Sequence, residues 1–136
     1  MRAQHAAFTL IELMLALAIS VILITMGYPA YVHYQTRAER NRAEVALMQL
    51  SGKMENYFEE NDSYIGATID ELNANHLVDG LHYQLAIADT TDSHYQIQAI
   101  PQDVQAARDV NCETLSLTDT NARSISGDGD VKQCWM

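Results

Sequence analysis

The sequence predicts an α+β protein: a long N-terminal helix, membrane-spanning in its first half and amphipathic in its second, packed against a 3–4-stranded antiparallel sheet. Three observations predict it. An apolar run opens at Phe8 and continues to Gly27, with Glu12 as its one carboxylate and no formally charged residue from Leu13 to Thr36. Apolar residues then recur at Ala43, Ala46, Leu47, Leu50, Met54, Tyr57 and Phe58, the three-and-four spacing of a helical stripe. After Gly80 the period changes to two, at Tyr83, Leu85 and Ile87 and again at Tyr95, Ile97 and Ala99. A chain of 136 residues supports one modest domain plus a helical stem.

The elements follow in order. Residues 1–7 carry Arg2 and His5 and end in Ala6-Ala7, a basic, small-residue leader placed before the apolar run. A secretory signal is cut after its apolar core; here the core would stay with the mature chain. Phe8 to Tyr28 is 21 residues, which at about 1.5 Å each spans about 30 Å, one bilayer core. Residues 8–28 therefore form the membrane segment and residues 29–136 the head domain, which includes the amphipathic half of the helix. A carboxylate in hydrocarbon is costly, so Glu12 is a functional-site candidate. Pro29 removes a backbone hydrogen bond and is expected to kink the helix, with Gly27 adding softness. Gly52 weakens the helix without ending it, and Asn61-Asp62-Ser63 supplies the stop after about 50 helical residues. Charges at Glu39, Glu44, Lys53, Glu55 and Glu59 fall mostly off the stripe. Arg37, Arg40 and Arg42 read as a solvated or subunit-facing turn.

Residues 61–80 read as a connection with one short helix, started by a capping box at Thr68-Ile69-Asp70-Glu71. The turn residues Asp89 to Ser93 join the first two strands. Centring the hairpin on Thr91 sets Ile87 opposite Tyr95, Leu85 opposite Ile97 and Tyr83 opposite Ala99, with both apolar sets on one face. Pro101 ends the second strand, Leu115 and Leu117 mark a third, and Asp119-Thr120-Asn121 a turn. A Gly/Asp-rich segment at 126–130 precedes Cys134-Trp135.

The leader, the string Phe8-Thr9-Leu10-Ile11-Glu12, Pro29, and the series Tyr31, Tyr34, Arg37 resemble the class III leader and stem of type IV pilins and pseudopilins. The resemblance implies cleavage between Ala7 and Phe8 by prepilin peptidase and methylation of the new Phe8 amino group. The residue before the cut is usually Gly in that family; Ala7 keeps a small side chain. Tyr57-Phe58, Asn61, Tyr64, Pro101, Gln105, Asp109, Cys112, Leu115, Leu117 and Cys134-Trp135 resemble the minor pilins of type IVa pili. The usual Gly of the turn after the third strand is absent, and Asn121 is expected to take the left-handed conformation instead.

The two cysteines, Cys112 and Cys134, lie in a small exported domain, which favours a disulfide over a metal site or a nucleophile. Closing the 21 residues between them is worth about 3 kcal/mol on the chain-entropy account. A literal count of positive charges would place the head inside the cell; the leader and the cysteines place it in the periplasm. The net charge is −10, and −11 without the first seven residues. An acidic chain repels nucleic acid at long range, so DNA binding is not expected. The five histidines are scattered, and the expected register keeps His82 and His94 from facing each other. Asp128 and Asp130 lack EF-hand spacing. No phosphate loop, nucleophile elbow or metalloprotease motif occurs, so the expectation is a non-enzyme without metal or cofactor.

The expected function is that of a structural subunit, a minor pilin of a type IV pilus. It would sit in membrane lipid of the bacterial inner membrane, with its head in the periplasm, before joining other pilin subunits through the inner-membrane assembly machinery. Glu12 of an incoming subunit would pair with the Phe8 amine of its neighbour. The alternatives are a pseudopilin of a type II secretion system and a DNA-binding competence pilin.

Overall fold

The computed structural model describes residues 8–135. The leader, including Ala7 of the expected cleavage site, lies outside the described residues. Two units are described separately, the helical segment up to Gln35 and the domain from Thr36 onward.

Helix α1 (Leu10–Asn61, 52 residues) is unbroken in its assignment through Gly27, Pro29 and Gly52. It ends as Asn61-Asp62-Ser63 predicts: Asp62 takes φ 55° and its N–H donates to Phe58 O at 2.8 Å, an αL cap. Strands β1 (Tyr83–Thr90), β2 (Tyr95–Pro101), β3 (Leu115–Thr118) and β4 (Arg123–Ile125) form one antiparallel sheet in the order 1-2-3-4. One face of it meets the amphipathic half of α1. Ala43, Ala46, Leu47, Leu50 and Met54 from the helix are buried with Tyr83, Leu85, Tyr95, Ile97, Ala99, Leu115 and Leu117 from the sheet. The helical stripe and the strand alternation named these residues; Tyr57, Phe58 and Ile87, which they also named, are partly buried against this core. Glu44 departs from the expectation: it lies on the buried side of α1.

The hairpin register also departs from it. Ile87 pairs with Ile97, Leu85 with Ala99 and Tyr83 with Pro101, two residues along from the expected pairing. The loop is Thr91–His94, closed by Thr91 N–H to His94 O at 2.8 Å and His94 N–H to Thr91 Oγ1 at 3.0 Å. That centre alone would put the two apolar sets on opposite faces. A bulge between Ile87 and Asp89 restores the parity. A slip of two residues keeps every side chain on its face, which is why face matching could not reject the wrong register.

The turn after β3 uses Asn121 at φ 61°, the left-handed residue in place of a glycine. The capping box at Thr68 forms half of its pattern, with Glu71 N–H donating to Thr68 Oγ1 at 3.1 Å. It starts only one turn, because Asn73 turns to φ 49°, and a four-residue 3-10 helix follows at Asn75–Val78. Two short helices were not anticipated, α2 (Asp103–Arg108) and α3 (Val131–Cys134). Both are too short to establish a period.

Tyr64 is packed between Phe58 and Tyr95, at 4.7 Å and 4.8 Å between ring centroids, and its hydroxyl donates to Glu55. Burial, with Glu55 adding to it, pushes this phenol up to about 12 from 10.0. Burial also raises Tyr83 and Tyr95. All three are therefore neutral in the fold at pH values where an unfolded tyrosine ionises. Their contribution is complete below pH 10.0 and is lost as pH rises above it, for Tyr64 through about 12. A denaturation series in detergent should show constant stability from neutral pH to pH 9 as far as these groups govern it, then a progressive fall. Absorbance of tyrosinate should show these phenols titrating with unfolding and not before it.

Candidate functional site

Two places carry the residues of interest, one in each unit. In the helical segment every residue from Phe8 to Tyr31 is exposed. The helix is long and apolar enough to cross a membrane, and none of that apolar window is buried against the protein. The hydroxyls of Ser20 and Thr25 turn inward: Ser20 Oγ donates to Ala16 O at 2.7 Å and Thr25 Oγ1 to Ile22 O at 2.8 Å. That satisfies them without water, as a lipid-facing helix requires.

Glu12 is engaged with its own chain. Its carboxylate accepts from Thr9 N–H at 2.9 Å and Thr9 Oγ1 at 2.8 Å, while Glu12 N–H donates to Thr9 Oγ1 at 3.3 Å. Thr9 is thus the cap and Glu12 the third helical residue of a reciprocal capping box. The sequence pattern Thr-x-x-Glu at Thr9 and Glu12 carries this signal. Phe8 is exposed at the head of this segment.

In the domain, the feature that sequence reasoning missed is a buried polar clamp. Arg40 is 7% exposed and Asp109 4%; Arg40 Nη1 donates to Asp109 Oδ1 at 2.5 Å. Gln105 Nε2 donates to Thr36 O at 3.0 Å and to Tyr83 Oη at 3.1 Å, and Tyr83 Oη donates to Asp109 Oδ2 at 3.3 Å. One network therefore joins α1, β1, α2 and the segment that follows α2. Burial pushes the Asp109 carboxyl up, against the pull of Arg40 and of its hydrogen-bond donors. The reading of the arginine cluster as a solvated turn fits Arg37 and Arg42, which are exposed, and fails for Arg40.

Beside the clamp, Cys112 and Cys134 form a disulfide, with Cα atoms 5.6 Å apart. The Gly/Asp segment packs directly on the turn at Asn111-Cys112: Gly127 N–H donates to Cys112 O at 3.2 Å and Gly129 N–H to Asn111 O at 2.8 Å. A Cβ at Gly127 would stand 2.3 Å from Asn111 O, so this close approach needs glycine. The Asp130 carboxylate caps α3 by accepting from Lys132 N–H at 3.0 Å. Trp135 is buried and its indole N–H donates to Ser124 O at 3.1 Å.

The two strand-flanking histidines are placed apart, each with a carboxylate: His82 Nδ1 with Glu39 at 3.0 Å and His94 Nδ1 with Asp119 at 2.9 Å. Among the described residues no three His, Cys, Asp or Glu are placed to hold a metal ion. A groove of about 310 Å³ runs between Arg42, Val45 and Gln49 of α1 and Leu77 and Leu81. It brings together no nucleophile and base, so it offers contact surface and no chemistry.

Residues 29–116 match the family described as type IV minor pilin ComP, DNA uptake sequence receptor. The chain belongs to that family. Residues 2–28 match the prokaryotic N-terminal methylation motif. Over 61 residues the chain is 34% identical to the type IV major pilin protein PilA of Myxococcus xanthus, a match covering 45% of this chain and 28% of that relative's length. The fold is that of the crystal structure of the non-core minor pilin PilV of Neisseria meningitidis, at a TM-score of 0.55 and 17% identity, covering 69% of this pilin and 89% of that chain. The protein is a type IV pilin of the minor class, with a membrane-type apolar helix followed by a pilin domain.

Proposed function

We propose that this minor pilin is a structural subunit of a type IV pilus, cut between Ala7 and Phe8 by prepilin peptidase and methylated on the Phe8 amine. It waits in the bacterial inner membrane through Phe8–Tyr28 with its head in the periplasm. It then joins other pilin subunits with the help of the inner-membrane assembly machinery. The observation that carries this reading is the uncovered apolar helix: side chains exposed on every face from Phe8 to Tyr31 need lipid before assembly and other helices after it. The subunit contributes shape and contact and catalyses no reaction.

Glu12 is assigned the register of assembly. A buried ion without a partner costs several kcal/mol, and the methylated amine of a neighbouring Phe8 is the cation that assembly supplies. The capping box gives a sharp test, because Glu12→Gln keeps an acceptor for Thr9 and removes the charge. Both Glu12→Gln and Glu12→Ala should leave membrane insertion and cleavage intact and lower incorporation into sheared filaments. If Glu12→Gln incorporates like the natural chain, Glu12 is a helix cap only.

A second reading is that of a DNA receptor, favoured by the family match over residues 29–116. Against it stands the charge: 17 of the 18 Asp and Glu but only 7 of the 8 Lys and Arg lie beyond residue 35, so the domain itself is strongly acidic. Filter binding of the full chain in detergent to labelled duplex DNA at moderate salt decides between them. The structural reading expects weak or no retention; retention of one duplex over its scrambled counterpart would establish the receptor.

A further inference from the structure

Arg40 touches a sulfur atom as well as a carboxylate. Its Nη1 donates to Cys112 Sγ at 3.1 Å while holding Asp109. An arginine stays charged when buried, so a fixed cation stands against one sulfur of the 112–134 bridge. The carboxylate that shares this cation also accepts from Tyr83 Oη and Gln105 Nε2, at 3.3 Å each. Its negative charge is therefore spread over three donors, and the guanidinium keeps a positive edge toward the sulfur. Cys134 has a different setting. It closes α3, a single turn of four residues held at its start by the Asp130 cap. Cys134 is 2% exposed against 5% for Cys112, so a reductant reaches it through local opening of this short C-terminal turn.

We infer that Arg40 makes Cys112 the thiolate side of this bridge, so that the disulfide opens and closes by exchange at Cys134. A nearby cation lowers the pKa of a thiol, and a thiol of lower pKa is the better leaving group in exchange. In opening by a thiol reductant, the reductant's thiolate attacks Cys134 Sγ as the sulfur–sulfur bond breaks, and the electron pair leaves on Cys112 Sγ beside Arg40. A second reductant thiolate attacks the reductant's sulfur in the mixed disulfide, forming the reductant's own disulfide and releasing Cys134 as a thiolate that takes up a proton. Two thiols are oxidised and one cystine is reduced by two electrons. Closing retraces the path, with Cys112 attacking a mixed disulfide on Cys134.

The test uses the oxidised full chain in detergent micelles with reduced glutathione as the probe, quenched by an alkylating agent and mapped by mass spectrometry. Glutathione should sit on Cys134 and the alkyl group on Cys112, in an excess of about fivefold or more over the reverse. Glutathione on Cys112, or shared equally, overturns the assignment. In Cys134→Ser, the pH midpoint for alkylating Cys112 should lie below that of Cys134 in Cys112→Ser. Adding Arg40→Met should raise it by about one unit, and Arg40→Lys, which keeps the charge, should raise it less. A Cys112 midpoint that ignores both substitutions also overturns it.

Discussion

Arg40→Met should destabilise the folded domain by about 3–5 kcal/mol, the usual loss when one partner of a buried ion pair is removed. The cause is the group left behind. Asp109 is 4% exposed, and without the guanidinium it must either protonate or remain as a charge in an apolar setting, keeping only its bonds from Tyr83 and Gln105. Asp109→Leu should cost a similar amount through the stranded arginine. The double substitution should cost clearly less than the two single losses added together, because residues in one network couple. Chemical denaturation of the four chains in a nonionic detergent measures this cycle. Additive losses would mean that the clamp is a geometric coincidence and not an energetic unit.

Cys134→Ser should lower stability by about 2–5 kcal/mol, the range for removing a native bridge from a small exported domain. The bridge spans a sequence separation of 22, and the tail beyond it also carries Trp135, whose indole holds Ser124 O. Loss of the bond should therefore loosen α3 and the edge strand β4 before the rest of the sheet. Hydrogen exchange in the variant should rise first in residues 123–135. Uniform acceleration across the whole sheet would show that the bridge restrains the unfolded chain and has no local role. Because Arg40 contacts Cys112, the losses from Arg40→Met and Cys134→Ser should not add.

The legible part of this protein was the part governed by local period. The stripe Ala43, Ala46, Leu47, Leu50 and Met54 and the alternation at Tyr83, Leu85, Tyr95, Ile97 and Ala99 report burial directly, and they fixed the core and the helix-on-sheet layering. The helix stop at Asp62 and the left-handed Asn121 were legible because such backbone conformations restrict residue type. The hairpin register was not, since an even slip leaves every face unchanged and the bulge near Ala88 has no residue signature of its own. The clamp was invisible for a different reason. Arg40 and Asp109 are 69 positions apart, and nothing local distinguishes Arg40 from the exposed Arg37 and Arg42. Position on the stripe gave a hint: Arg40 stands three residues before Ala43 and four before Glu44, on the side of α1 that the sheet covers. The capping role of Glu12 is legible in the spacing Thr9-x-x-Glu12, which is the local signature of a capping box.

A minor pilin that is cut before Phe8 and built into a filament through the helix beginning there should be found in that form in filaments. Mass spectrometry of filaments sheared from cells, set against the membrane fraction, reads this. An N-terminal peptide beginning with methylated Phe8 is expected in both fractions, with Glu12 and the apolar run retained. A mature chain beginning beyond Gly27 or Tyr28, or a Phe8 peptide confined to the membrane and absent from every filament preparation, would contradict it.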